Sequence, residues 1–141
     1  MPKTLENFNS EKCLEIKDWS TQNGAPAQQW SCGNNQANQV WQVTVDPDMP
    51  NVVTLRSPNS GKCLEIGDWS TANGAPARQW DCTGKVNQKW LVARTYSGWI
   101  YMNGWSGKCL EVADWSKNNG AQVRQWDCGE NQFNQLWYSG V

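Results

Sequence analysis

The chain of 141 residues has no histidine, only two phenylalanines and three tyrosines, and almost no net charge, with 12 basic against 13 acidic side chains. Each shortage closes off a class of function. With no histidine, and no C-x-x-C pair to bring four ligands together, neither zinc nor any other metal is expected. A net charge of −1 gives no electrostatic footprint for nucleic acid or an anionic membrane. No apolar run approaches the length needed to span a bilayer, so no membrane insertion is expected, and the opening M-P-K-T-L-E is not a charged-then-apolar leader. No segment sustains a helical period, which leaves an all-β reading. Nothing in the composition calls for a cofactor.

What the chain does have is repetition. Ser60 to Cys82 aligns with Ser10 to Cys32 without a gap and is identical at 18 of 23 positions, and Ser106 to Cys128 keeps the same length and skeleton. Each copy runs Lys-Cys-Leu-Glu, Asp-Trp-Ser, Asn-Gly-Ala, Gln-Trp and a closing Cys, with a tail ending in Asn-Gln-x-Trp. The first cysteines, at 13, 63 and 109, divide the chain into repeats of approximately 1–46, 47–94 and 95–141. A unit this small cannot easily bury its apolar face alone, so 1–141 is expected to be one domain closed around a shared interior. Nine of the eleven tryptophans occupy repeat-equivalent positions; Trp99 and Trp105 stand outside that set.

The six cysteines also fall in register, each copy holding a pair 19 positions apart. Six cysteines permit fifteen pairings, and the repeat favours one pair per copy: Cys13–Cys32, Cys63–Cys82 and Cys109–Cys128. Six reduced, buried thiols are the alternative. An even count in a loop-rich chain fits an oxidising compartment, so a secreted protein is expected.

Strand signals are short and evenly spaced. In the middle copy Val52–Arg56 alternates and is rich in β-branched residues, and Pro58-Asn59-Ser60-Gly61 is turn chemistry. Cys63–Ile66 reads as the next strand, with Leu64 and Ile66 on one face and Cys63 and Glu65 on the other. Residues 68–76 hold Asn73-Gly74 and Pro76 and read as a loop; 77–81 and 88–93 read as the third and fourth strands. The third copy opens with a strand over 99–102, the first with a weaker one over 5–9. Four strands in each of three copies make twelve.

Cys-Leu-Glu-Ile/Val, Gln-Trp-x-Cys and Asn-Gln-x-Trp in three tandem copies resemble the ricin B-type lectins, also grouped as carbohydrate-binding module family 13. The resemblance covers about 5–137. Gln-x-Trp alone is a weak signal, but three in register with three in-phase cysteine pairs are specific. The resemblance implies a β-trefoil: six strands in a barrel, six in a cap of three hairpins, and pseudo-threefold symmetry. It places Trp41, Trp90 and Trp137 in the core and implies one shallow sugar site per repeat.

A pyranose presents hydroxyls around its rim and polarised C–H groups on its faces. It is recognised by an aromatic plate together with carboxylates and amides that take paired hydroxyls. Carried over by resemblance, the site residues are Glu15, Gln28, Trp30, Asn38 and Gln39; then Glu65, Arg78, Trp80, Asn87 and Gln88; then Glu111, Arg124, Trp126, Asn134 and Gln135. Trp30, Trp80 and Trp126 would stack on sugar, the Asn would bond its hydroxyls, and the Gln would sit behind and orient the site. Two features depart from the family pattern. The carboxylate is Glu where the family usually has Asp, and one extra methylene re-aims a bidentate contact. Asp18, Asp68 and Asp114, three residues later, are therefore the alternative ligand carboxylates, while Glu15 can instead bond a backbone amide or pair with Lys12. Trp19, Trp69 and Trp115 stand where a small residue is common, and form either a second wall or mere loop cover.

The expected function is a non-enzymatic, multivalent lectin, a monomer or weak oligomer, binding mono- or oligosaccharides on cell-surface glycans or polysaccharide. Galactose or N-acetylgalactosamine is the family's common ligand, and a deoxy sugar such as L-rhamnose is the variant suggested by the two departures. The alternatives are a carbohydrate-binding module of a secreted glycoside hydrolase, an enzyme using a pair such as Glu15 and Asp18, and a trefoil used only for protein contact.

Overall fold

The computed structural model describes residues 2–140, and within them the alternation of apolar side chains resolves into twelve strands. These are β1 (Pro2–Asn7), β2 (Cys13–Ile16), β3 (Ala27–Trp30), β4 (Val40–Val45), β5 (Val52–Arg56), β6 (Cys63–Ile66), β7 (Ala77–Trp80), β8 (Trp90–Arg94), β9 (Trp99–Asn103), β10 (Cys109–Val112), β11 (Val123–Trp126) and β12 (Trp137–Gly140). All pairing is antiparallel. Successive contacts β1–β4, β4–β5, β5–β8, β8–β9, β9–β12 and β12–β1 return to their start, so six strands close a barrel with no free edge. The other six form the hairpins β2–β3, β6–β7 and β10–β11, which cap one end. This is the β-trefoil that the resemblance implies.

The interior is built from equivalent positions. Leu14, Leu64 and Leu110, with Ile16, Ile66 and Val112, are fully enclosed from the cap side, and Leu5, Val53, Leu55 and Tyr101 fill in from the barrel. Trp41, Trp90 and Trp137 are completely buried at the centre. Each donates its indole N–H to a leucine carbonyl of its own copy, at 3.1 Å to Leu14, 3.1 Å to Leu64 and 3.0 Å to Leu110. Their one polar atom is thereby satisfied, so the large apolar ring is buried at no hydrogen-bond penalty.

The three disulfides join Cys13–Cys32, Cys63–Cys82 and Cys109–Cys128, with Cα separations of 5.2, 5.1 and 5.1 Å. Each ties the start of a cap hairpin to the chain leaving it. The strand expected over 88–93 begins later, at Trp90, because Val86–Gln88 coils into a 3-10 turn closed by Gln88 N–H donating to Lys85 O. The opening strand lies at Pro2–Asn7 rather than 5–9, since Asn7, Glu11 and Lys12 form a turn through backbone bonds.

Candidate functional site

On β2, β6 and β10 the glutamate points away from the leucine and isoleucine, yet it is not exposed: Glu15, Glu65 and Glu111 retain only 5, 4 and 3% of their accessible surface. The reason is the tail of each repeat, which folds over it. Gln39, Gln88 and Gln135 donate to the glutamate Oε1 at 3.0, 2.9 and 3.1 Å. Each of these glutamines also donates to the carbonyl of Ser31, Asp81 or Asp127 and accepts from the backbone N–H of Gly33, Thr83 or Gly129. Asn38, Asn87 and Asn134 lie beside them, donating to the same carboxylate at 3.4, 3.5 and 3.2 Å and to the carbonyls of Ile16, Ile66 and Val112. Both amide hydrogens of each Asn therefore point inward. The Oδ1 of Asn38 and of Asn134 has no partner among the described residues.

Over this inner frame lies the residue opposite the glutamate in the hairpin. The register Glu15↔Gln28, Glu65↔Arg78 and Glu111↔Arg124 places it directly across the strand pair. Gln28 donates to Glu15 Oε2 at 2.8 Å, whereas Arg78 and Arg124 form ion pairs at 3.0 Å with Glu65 and Glu111. Each guanidinium also reaches the next carboxylate, Asp68 at 3.7 Å or Asp114 at 3.4 Å, and lies 4.6 Å above the ring of Trp80 or Trp126. That arrangement joins planar N–H donors to an indole plate in one continuous surface.

The opposite wall comes from the segment after the glutamate. Asp18, Asp68 and Asp114 (φ 57°, 58° and 57°) and the following Trp19, Trp69 and Trp115 (φ 56°, 55° and 56°) all lie in the left-handed region. With Ser20 N–H donating to Lys17 O, and its counterparts at Ser70 and Ser116, each segment is a tight turn with positive φ at both central residues. Glycine is the usual second residue of such a turn. Asp tolerates the conformation; Trp does not do so readily. The turn throws the carboxylate into solvent, where the Asp68 and Asp114 side chains are 91 and 86% exposed. It also presents an indole that remains 42–46% exposed in every copy.

In the second copy Glu65, Asp68, Trp69, Arg78, Trp80 and Asn87 line one open cleft of about 310 Å³, joined by Thr83 and Lys85. Gln88 sits behind its wall, bonded to Glu65. Thr83 and Lys85 were not singled out in the sequence, because they fall where the copies diverge. The cleft holds Glu65 and Asp68 against Arg78 and Lys85, two charges of each sign, which suits an uncharged polyhydroxyl ligand better than an ion. Another set of residues escaped sequence reasoning. The carbonyl of each left-handed Trp is held by the next copy in space: Trp19 by Asn59 at 3.1 Å, Trp69 by Trp105 at 2.9 Å and Trp115 by Asn9 at 3.2 Å.

The sequence profile of the ricin-type beta-trefoil lectin domain matches residues 2–137. No curated protein sequence gives a significant match. Among solved structures, the designed threefold-symmetric protein ThreeFoil is 30% identical with a TM-score of 0.92, over 99% of this chain and 98% of that one. The exo-beta-1,3-galactanase 1,3Gal43A from Clostridium thermocellum is 28% identical with a TM-score of 0.91; the match covers 99% of this chain and 30% of the galactanase. The C-half of the earthworm R-type lectin, solved with GalNAc, is 16% identical with a TM-score of 0.71 over 98% and 96% of the two chains, a likeness of fold.

Proposed function

The chain belongs to the ricin-type beta-trefoil lectin family, a family of carbohydrate binders, and from that premise we propose that it is a non-catalytic lectin with one sugar site in each repeat. The observation that carries the reading is the cleft of the second copy, where two exposed indoles, an exposed carboxylate and an anchored guanidinium face one opening. Within each site the roles divide by depth. Asp18, Asp68 and Asp114 take the hydroxyls, Trp30, Trp80 and Trp126 carry a C–H face, and Trp19, Trp69 and Trp115 form the facing wall. Gln28, Arg78 and Arg124 supply donors. Glu15, Glu65 and Glu111, with Asn38, Asn87, Asn134, Gln39, Gln88 and Gln135, form the frame that holds the others, because the carboxylates and the amide N–H groups are engaged with one another and with nearby backbone carbonyls. This division favours the aspartates over the glutamates as ligand carboxylates.

The ligand is a neutral sugar of the galactose type. What supports it is the balanced charge of the cleft and the 28% identity to a module within a chain described as a β-1,3-galactanase. The same likeness supports a second reading, a carbohydrate-binding module working beside a glycoside hydrolase, since the matched region is 30% of that chain. Three sites on one rigid body raise avidity on a dense glycan surface by about 10²–10⁴ when spacing permits simultaneous engagement. Three disulfides fit a protein exported to an oxidising environment.

The test is a glycan array run with the native chain and with a variant carrying Trp30→Ala, Trp80→Ala and Trp126→Ala. Binding by the native chain that the folded variant loses is expected and names the sugar class. No glycan bound by the native chain overturns the reading.

A further inference from the structure

Trp105 is the one tryptophan in the three turns that precede the Lys-Cys motif: Asn9 and Asn59 occupy its place in the other two copies. It is half exposed, yet held rigidly. Asn103 Oδ1 accepts the backbone N–H of Trp105 at 3.0 Å and of Ser106 at 3.2 Å, fixing the turn. Gly104 brings that turn against the second copy, its N–H donating to Lys89 O at 2.8 Å; a Cβ there would sit 2.9 Å from both Val86 Cγ2 and Val86 O. The indole N–H of Trp105 then donates to Trp69 O at 2.9 Å, and the two rings stand edge-to-face at 86° with centroids 5.2 Å apart.

The consequence is chemical. Once its N–H is taken up by Trp69, the half-exposed indole of Trp105 has no free polar hydrogen left to offer. An exposed, immobilised apolar plate next to a binding cleft marks a place for a ligand face. Asn59 and Asn9 make the same bond to Trp19 and Trp115 through an amide and present no plate. The aromatic surface at the second site therefore runs from Trp80 across the cleft to Trp69 and on to Trp105, a run that the first site lacks. Near the third site Phe133 packs on Trp115 at 6.2 Å and edge-on to Phe8 at 5.4 Å, and both phenylalanines stay partly exposed, so the third site has an aromatic neighbour of its own but no indole pinned to the Trp carbonyl.

We propose that Trp105 forms an additional subsite at the second sugar site, taking the C–H face of a second pyranose, so that this site selects oligosaccharides over single sugars. The proposal rests on the sugar-binding reading of that cleft. In this geometry the third repeat supplies a specificity-determining residue to the site of the second.

The experiment uses the full chain with Trp30→Ala and Trp126→Ala, leaving the second site alone. Its affinity is measured by calorimetry for matched pairs: galactose and β-1,3-galactobiose, xylose and xylobiose, mannose and mannobiose. At least one disaccharide is expected to bind about three- to tenfold tighter than its monosaccharide, the range that one aromatic stacking contact supplies. Trp105→Asn, which can rebuild the bond to Trp69 O as Asn59 and Asn9 do elsewhere, should bring that ratio to about one. Asn59→Trp, in a chain retaining only the first site, should raise the ratio there. A disaccharide preference that survives Trp105→Asn, or no preference in the parent chain, overturns the subsite while leaving sugar binding intact. No binding of any sugar in these pairs sinks the sugar-binding reading of the second site and the subsite with it.

Discussion

A single residue, glutamine or arginine opposite the buried glutamate, makes the three sites unequal. Glu65 and Glu111 face a guanidinium, whereas Glu15 is held by the neutral amides of Gln28, Asn38 and Gln39. Replacing a carboxylate by an amide therefore has different consequences at each. Glu15→Gln leaves Gln28 free to turn its amide and donate or accept as needed, and should cost about 1 kcal/mol or less. Glu65→Gln and Glu111→Gln strand a guanidinium that can only donate. Its remaining exposure and its second contact, to Asp68 or Asp114, moderate the loss to about 1–3 kcal/mol. Urea denaturation of the three variants should rank Glu15→Gln as the mildest; finding it the most damaging would contradict this account of the inner frame.

At the scale of elements, the left-handed Asp-Trp turn is the feature least favoured by local chemistry. A bulky residue at positive φ costs about 1–2 kcal/mol, and the turn persists because a neighbouring repeat grips its carbonyl. Among the described residues, one junction between repeats differs from the other two. Asn7 donates to Asn134 O and Asn103 to Asn87 O, each at 3.0 Å, tying the turn of one repeat to the tail of another. The equivalent residue of the second copy is Ser57, whose backbone N–H makes the same bond to Lys62 O that Asn7 makes to Lys12 O, but whose buried hydroxyl has no partner among the described residues. A Ser57→Asn substitution should supply the missing bond to Asn38 O and raise stability by about 0.5–1.5 kcal/mol. A lower urea midpoint for this variant would show that the junction cannot accept the longer side chain.

For the whole molecule, cohesion comes from contacts passed around the pseudo-threefold axis. Gln29, Gln79 and Gln125 each hold two carbonyls in the loop of another repeat, Ser116 and Asn118, Ser20 and Gln22, and Ser70 and Ala72. Alongside them Asn23 donates to Asp81 and Asn73 to Asp127, both at 3.0 Å. These bonds hold the Asp81 and Asp127 carboxyls below the usual aspartate value of 3.8, with Lys62 and Lys108 contributing. A carboxyl whose value is lowered on folding stabilises the native state above its unfolded value, and the benefit disappears as pH falls through the folded one. Stability should therefore decline as pH drops below about 4, and the decline should be shallower in an Asp81→Asn, Asp127→Asn variant. Thermal melts at pH 2–5 read this directly, and an unchanged slope in the variant would remove these two groups from the acid response. At the other extreme, burial pushes Tyr101 up to about 12, so its stabilising effect is full below 10 and lost as pH rises toward 12.

The sequence by itself determined the architecture. A repeat of three, cysteine pairs in phase and Trp41, Trp90 and Trp137 in identical settings leave few ways to bury the indoles other than around a common axis. Local pattern carried this because β alternation and repeat register depend only on neighbours along the chain. Tertiary structure alone decided how the polar kit divides by depth. Nothing in Cys-Leu-Glu says that the glutamate is roofed over by Asn and Gln from more than twenty positions away, or that Asp18, Asp68 and Asp114 are left facing solvent. Nor does spacing reveal that Trp105 of one repeat closes on Trp69 of another. Those facts depend on which groups meet when the barrel closes, and such contacts are made by residues remote in sequence, where periodicity is silent.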